Sequence, residues 1–458
     1  MSAAIEAWLA SEQAEFVARH PRSQALFAAG EQHFLYGAPL HWMRRWAGGF
    51  PLYAAAARGA RLWCADGFEY VDFCLGDTGA MCGHAAAPVT TAVARQLADG
   101  ATSMLPTAES GWVGEELARR FGLPYWGFTT SATDANRAAI RIARMVTGRE
   151  AVLVFNGCYH GSVEEAHVGL APGGQVAMRS GVHPNAVDHA RVSRVVEFND
   201  PAALESALAP RDVALVLAEP CMTNYGMIEA QPGFLAQLRE LTRRTGTLLL
   251  YDETHTWSAG PGGYTGRDRL DPDLFSIGKA IGGGVPVGLY GVSAAVAERL
   301  WQQAPRESVR PGVRQSSHFG FGGTLAGSAL QVAAVRAVLE QVLTAASFAR
   351  MIALASELAH RARAIVDAAG LPWFIAQSGA RVEPMFTPSA PRTASELARW
   401  RDPQLETLLH LHMLNRGVLI TPFHSMLLVC PDTDAADVER FVAELAAFAA
   451  RLAATRPS

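Results

Sequence analysis

Cysteine is scarce and unpatterned. The six, at positions 64, 74, 82, 158, 221 and 430 of a 458-residue chain, include no Cys-x-x-Cys pair and no zinc-type spacing. No metal site is therefore expected, and the thiols read as reduced and mostly buried, as in a cytoplasmic protein. Runs of basic residues are also missing, and the formal net charge is −4, which argues against a nucleic-acid or anionic-membrane partner. No apolar run approaches the roughly 20 residues of a membrane span. The first residues carry Glu6, Glu12 and Glu15 and lack the basic stretch and apolar core of a secretory signal. Internal repeats and low-complexity segments are absent. What remains is a chain half of whose residues are hydrophobic, enough for a large core without disulfides. At about 150 residues per domain the length suggests two to three domains, and a small molecule is the default substrate.

What is present gathers in residues 248–284. Thr247 to Tyr251 is an apolar run between Gly246 and Asp252. Too short for a buried helix, it reads as a central parallel strand with an acid at its carboxyl end, where ligands sit in open α/β sheets. A second short run, Leu274 to Ile277, leads to Lys279 and then to Gly282, Gly283 and Gly284, which would let backbone approach a ligand closely. An acid and a lysine on two strand ends could face one crevice. Pyridoxal phosphate needs that pair, an amine for a Schiff base and a carboxylate for its pyridine nitrogen. On spacing alone, Asp252 equally fits a turn cap and Lys279 a solvated side chain.

Asp252-Glu253-Thr254-His255-Thr256, followed by Pro272-Asp273-Leu274-Phe275-Ser276-Ile277-Gly278-Lys279-Ala280-Ile281-Gly282-Gly283-Gly284-Val285-Pro286, resembles the signature of the class III pyridoxal-phosphate aminotransferases. That group includes glutamate-1-semialdehyde aminomutase and β-amino-acid aminotransferases. The resemblance runs over nearly the whole chain, with its specific motifs between 131 and 324. It implies an α/β fold of the fold type I PLP-dependent transferases: a large domain with a mostly parallel, seven-stranded-type sheet and a smaller α+β C-terminal domain. It also implies a catalytic pair, Lys279 and Asp252.

Taken in order, residues 1 to about 35 mix Ile5, Trp8, Leu9, Phe16 and Val17 with acids at near-helical spacing, which suggests one or two amphipathic helices. Residues 60 to 73 alternate around Asp66-Gly67, a hairpin signal. From Trp126 the pattern becomes strand, turn, helix, repeated, as in a parallel sheet covered on both faces. The first such turn is Ser131-Ala132-Thr133-Asp134-Ala135, opening a helix to about Val146. Free amides and the dipole at a helix start suit a phosphate, and the same residues also suit an ordinary cap. This stretch is similar to the family's Ser-Gly-Thr-Glu-Ala, which implies that Ser131, Ala132 and Thr133 hold the phosphate, with Ala132 in place of glycine asking for a slightly wider approach. By the same resemblance Tyr159, in Tyr159-His160-Gly161, stacks on the cofactor ring, Glu219 of Glu219-Pro220 supports the site, and Thr254 stands behind the ring where valine is usual. Thr324 would reach the phosphate of a neighbouring subunit, so the active site would be shared across a homodimer. The expected division is an N-terminal arm and substrate-lining segment over 1–60, the large cofactor domain over 61–324 and a small domain over 325–458.

The resemblance implies that Lys279 carries the cofactor and shuttles a proton while Asp252 keeps the ring nitrogen positive. The expected activity is ping-pong transfer of an amino group between an amine or amino acid and a keto acid, aldehyde or ketone. Many members bind an α-carboxylate with an arginine soon after the Asp-Glu-Val motif, but Trp257-Ser258-Ala259-Gly260 stands here. The C-terminal arginine of some β-amino-acid enzymes is likewise replaced, by Thr421-Pro422-Phe423-His424. Trp42, Arg44, Trp257 and Phe423 are the candidate substrate contacts, favouring aromatic or apolar amines or β-amino acids. An aminomutase, a racemase and a non-catalytic relic of the fold remain as alternatives.

Overall fold

The computed structural model describes residues 3–179, 187–303, 320–422 and 424–455. It divides into two compact units, residues 87–345 with 391–399, and residues 1–86 with 346–390 and 400–458.

The first unit is built on a seven-stranded sheet. Its strands are β1 Tyr125–Thr129, β2 Ala151–Phe155, β3 Ser193–Val196, β4 Val213–Ala218, β5 Leu248–Asp252, β6 Leu274–Ile277 and β7 Gly288–Val292, in the spatial order β1-β7-β6-β5-β4-β2-β3. Strands β6, β5, β4, β2 and β3 run parallel, while β7 is antiparallel to both its neighbours. Strands β2, β4, β5 and β6 are buried at every residue, as their largely apolar sequences require when helices cover both faces. Helix α1, Ala132–Thr147, packs Ala135, Ala139, Ile142, Ala143 and Val146 inward, a stripe at the helical period. The register sets Tyr251 of β5 beside Ala218 of β4, and Asp252 beside Ser276 of β6. Three adjacent parallel strands therefore end at one level, β5 at Asp252 and its neighbours just ahead of Glu219 and Lys279. Between β2 and β3 lies a short antiparallel pair, Val168–Leu170 with Val176–Met178.

The second unit joins the two ends of the chain. Helix Ala3–Arg19 is tied to helix Pro403–Asn415 by buried Glu12, which accepts from Trp8 Nε1 at 2.9 Å, Asn415 Nδ2 at 2.8 Å and Arg416 Nη1 at 3.0 Å. Burial alone would raise this carboxyl, but its donors, His412 among them, overcome it and hold it below the usual carboxylate range.

The boundaries fall at 86/87 and 345/346 rather than at 60/61 and 324/325. Hairpin Arg61–Cys64 and Glu69–Asp72 pairs with Ala54–Arg58 on one side and, in parallel, with Val418–Leu419 on the other, which ties residues 61–86 to the terminal unit. Helix Ala329–Ala337 packs on helices Ala87–Asp99 and Ser110–Phe121, which ties residues 325–345 to the sheet. Neither pairing leaves a mark in local periodicity. Among the described residues no single helix is long and apolar enough to cross a membrane, and no cluster of histidine, cysteine and acids could hold a metal ion.

Candidate active site

Asp252 is buried at the carboxyl end of β5. Its Oδ2 accepts from His160 Nδ1 and from Asn136 Nδ2, each at 2.9 Å, and its Oδ1 from the Thr254 amide at 3.1 Å. Burial favours the neutral acid, but the hydrogen bond and charge of His160, with Thr254 and Asn136, hold the carboxyl down to about 2. His160 is the counterpart. Burial opposes its charge, yet the Cys158 sulfur and Asp252 beside it push it up to about 10. Asn136 is itself fixed by Ser276 Oγ, which donates to Asn136 Oδ1 at 2.5 Å. A carboxylate kept ionised in a dry site suits a protonated ring nitrogen.

Lys279 follows β6 and is the only lysine in the chain, the rest of its 39 lysine and arginine residues being arginine. Its backbone is left-handed, with φ 49°, a strained state for a non-glycine residue that the surrounding structure must impose. The glycine before it, Gly278, is pressed against the start of α1. A Cβ there would stand 2.7 Å from Ala132 Cβ and 3.1 Å from the Ala132 amide nitrogen. The glycine lost at 132 is thus met by a glycine on the facing wall.

At the start of α1, Ser131 caps the helix by accepting from the Asp134 amide at 3.2 Å. The first helical bond runs from the Ala135 amide to Ser131 O at 3.1 Å, so the amides of Ala132 and Thr133 lie ahead of the ladder, where an anion can meet them. Thr133 Oγ1 accepts from the Ser162 amide at 3.0 Å, and Tyr159 stands 48% exposed on the same loop. Thr254 Oγ1 is buried and has no hydrogen-bond partner among the described residues, an orphan that a polar ligand would satisfy. These features fit pyridoxal phosphate: an amine, an ionised acid, an anion-ready helix end and an unmatched hydroxyl.

Glu219, after β4, is buried and accepts from Thr223 Oγ1; the same oxygen meets His255 Nδ1 at 2.8 Å, and His255 Nε2 meets Lys279 Nζ. Sequence reasoning passed over Asn136, His160, Thr223 and His255 as site residues. The histidines could have been suspected, since one lies in the aromatic-His-Gly motif and the other inside Asp252-Glu253-Thr254-His255-Thr256. Asn136 and Thr223 carry no such mark.

The substrate candidates fare differently. Trp257 is fully buried, its indole donates to Pro261 O at 3.1 Å, and its ring meets the edge of Phe121. It is a core residue, and the expectation that it lines a substrate pocket is corrected. Trp42 and Arg44 belong to the terminal unit, on the short helix His41–Arg44. Arg44 is exposed and pairs with Glu31 at 3.4 Å. Phe423 lies outside the described residues. Thr324 lines a cleft with Met104, Leu105, Trp126 and Phe128, a lining that includes neither Asp252 nor Lys279.

The family model for class-III aminotransferases matches residues 42–431. A glutamate-1-semialdehyde 2,1-aminomutase of Sorangium cellulosum is 35% identical over 415 residues, covering 88% of this chain and 90% of that protein. Among solved structures, a glutamate-1-semialdehyde aminomutase of Pseudomonas aeruginosa PAO1 is 52% identical with a TM-score of 0.96, covering 98% of this chain and 99% of that one; a complex of it contains PMP. A β-phenylalanine aminotransferase of Variovorax paradoxus is 28% identical with a TM-score of 0.83, covering 97% of each chain. The chain belongs to the class-III aminotransferases, enzymes of fold type I that use pyridoxal phosphate.

Proposed function

We propose that this protein is a transaminase, moving an amino group between an amine or amino acid and a keto acid, aldehyde or ketone, with aromatic or apolar amines and β-amino acids as preferred donors. The observation that carries the reading is the placing of one lysine and one ionised, buried aspartate at adjacent strand ends. Bound pyridoxal phosphate supplies an aldehyde that condenses with amines and a ring that takes up the electrons released at the substrate carbon. Asp252 holds the ring nitrogen protonated, and His160 and Asn136 hold Asp252. The amides of Ala132 and Thr133, with Ser131, bind the phosphate. Tyr159 and Thr254 would line the place of the ring. Lys279 Nζ takes up the proton of the substrate carbon that bears the amine and returns it on the other side of the transfer. Where an α-carboxylate-binding arginine is usual, Trp257 is core, which supports donors without an α-carboxylate.

The active enzyme is a homodimer in which Thr324 serves the partner's phosphate. The exposure of Met104, Leu105 and Leu325 beside it, at 79%, 68% and 57%, supports this, since an apolar patch next to a site residue suits a covered face.

A second reading, intramolecular transfer of the aminomutase kind, is favoured by the names of the 35% and 52% identical proteins. One experiment separates the two: visible absorption of the loaded enzyme during addition of single amines, β-amino acids and α-amino acids without a carbonyl acceptor. Loss of the native band with one donor class, restored by a keto acid, is expected of a transaminase. A band that returns unaided with a single amino-carbonyl substrate is expected of an aminomutase.

A further inference from the structure

Glu219, Thr223 and His255 form a buried hydrogen-bonded line that ends on Lys279, and the roles given above use neither Thr223 nor His255. Thr223 Oγ1 donates to Glu219 Oε2, and the Thr223 amide reaches Oε1 at 3.4 Å. A hydroxyl has a single proton, so its 2.8 Å contact with His255 Nδ1 is made by the ring N–H. Nε2 then carries the lone pair, and Nε2 is the atom set against Lys279 Nζ. An ionised Glu219 thus fixes the tautomer of His255 through one hydroxyl. A protonated Glu219 reverses every bond in the line: the acid donates to Thr223, Thr223 donates to Nδ1, and Nε2 presents an N–H to Lys279.

We infer that Glu219, Thr223 and His255 are positioning residues forming a proton wire to Lys279, through which the protonation state of Glu219 selects whether the site holds an ammonium or a neutral, nucleophilic amine. The inference rests on the amine chemistry proposed for Lys279. The transfer balances. Lys279 Nζ gives a proton to His255 Nε2, the Nδ1 proton passes to Thr223 Oγ1, and the hydroxyl proton passes to Glu219 Oε2. One positive and one negative charge become two neutral groups, which a dry site favours.

Glu219 is suited to the task. Burial pushes its carboxyl up to about 7, His160 and Thr223 pull it back, and Asp252 adds to the rise. The charged and titratable groups facing the line are Cys158 and His160 after β2, Asp252 and His255 after β5, and Lys279 after β6. Asp252, held at about 2, stays ionised throughout the neutral range, and His160, pushed to about 10, stays protonated. The two arrangements carry the same number of protons, so while the line holds one proton the balance between ammonium and neutral amine does not move with pH. This opposes the ordinary gain of amine reactivity with rising pH and flattens it.

Because Lys279 is the sole lysine, its reactivity can be read without interference. The full-length chain, freed of cofactor, is acetylated with an N-hydroxysuccinimide ester of acetate between about pH 6 and 8, and the Lys279 peptide is quantified by mass spectrometry, apart from the α-amino group. In the native chain the rate should rise less than about threefold per pH unit around 7. In Thr223→Val, which cuts the line but keeps the Glu219 charge, and in His255→Gln, which keeps a polar group beside Lys279 but has no second ring nitrogen, it should rise about tenfold per unit, as for an amine uncoupled from any acid. A native rise of about tenfold per unit, or the native profile surviving in either folded variant, would overturn the wire. Turnover is not read, so this outcome and the fate of the transaminase reading are separate.

Discussion

Asp252→Asn replaces a buried carboxylate by an amide of the same shape. In the native site the carboxyl is held from 3.8 down to about 2, a shift of about two units, or roughly 2–3 kcal/mol of preference for the ionised form. A depressed acid contributes this stability above its unfolded value and loses it as pH falls through its folded one. The stability gap between native protein and variant should therefore be level from about pH 5 to 8, at about 2 kcal/mol, and close between about pH 4 and 2. Asp252→Ala should cost more, about 3–5 kcal/mol, because it leaves protonated His160 buried without its acid. Both should lower turnover by about a hundredfold or more, the usual scale for losing one preorganised electrostatic partner. Urea unfolding across pH and single-turnover rates with an amine donor measure the two effects. Turnover within about threefold of native in Asp252→Asn, with an unchanged cofactor band, would refute the assignment of this acid to the ring nitrogen. A gap that stays open at about pH 2 would refute the electrostatic account of its stability.

Lys279→Ala should abolish turnover while leaving the fold, and borohydride reduction of the native loaded enzyme should leave one cofactor adduct, on the Lys279 peptide; mass spectrometry reads both outcomes, and full activity in the alanine variant would end the assignment. Thr324→Val should weaken cofactor retention, and co-expression with Lys279→Ala should restore one complete site per mixed dimer, seen as regained turnover from two defective chains. Gly278→Ala should destabilise the protein by about 1–3 kcal/mol through overpacking, since its Cβ meets Ala132 at 2.7 Å. Adding Ala132→Gly should recover most of that loss in thermal melts.

The parts of the site that were legible in the sequence are those fixed by chain order. Short apolar runs ending in Asp252 and before Lys279 are strands because they are too short and too apolar for anything else in a covered sheet, and the carboxyl ends of such strands are where side chains can meet. The parts that were not legible depend on which distant segments become neighbours. Asn136, one turn into α1, reaches Asp252 only because α1 crosses over β5 and β6. Trp257 looked like a pocket wall because it stands where many family members carry an arginine, but the turn Thr256–Ala259 carries it inward against Phe121. The domain boundaries moved for the same reason, since strand pairing between residues 69–72 and 418–419 cannot be read from either segment alone.

The order of strands β4, β5 and β6 then accounts for the division of labour among their end residues. The central strand delivers Asp252, which receives donors from α1 and from the loop after β2 and is the most firmly ionised of the three. Glu219, one strand away, has a single side-chain hydroxyl to lean on and sits within the field of Asp252, so burial prevails and its carboxyl is raised. Two carboxyls on neighbouring strand ends are thereby driven apart, one permanently charged and one able to take up a proton near neutrality, and separation of that kind assigns distinct tasks to chemically similar groups. Lys279 stands on the third strand end, linked to Glu219 through His255 and Thr223. In the roles proposed here, the charge for the ring nitrogen and the proton for the amine would be kept on separate acids.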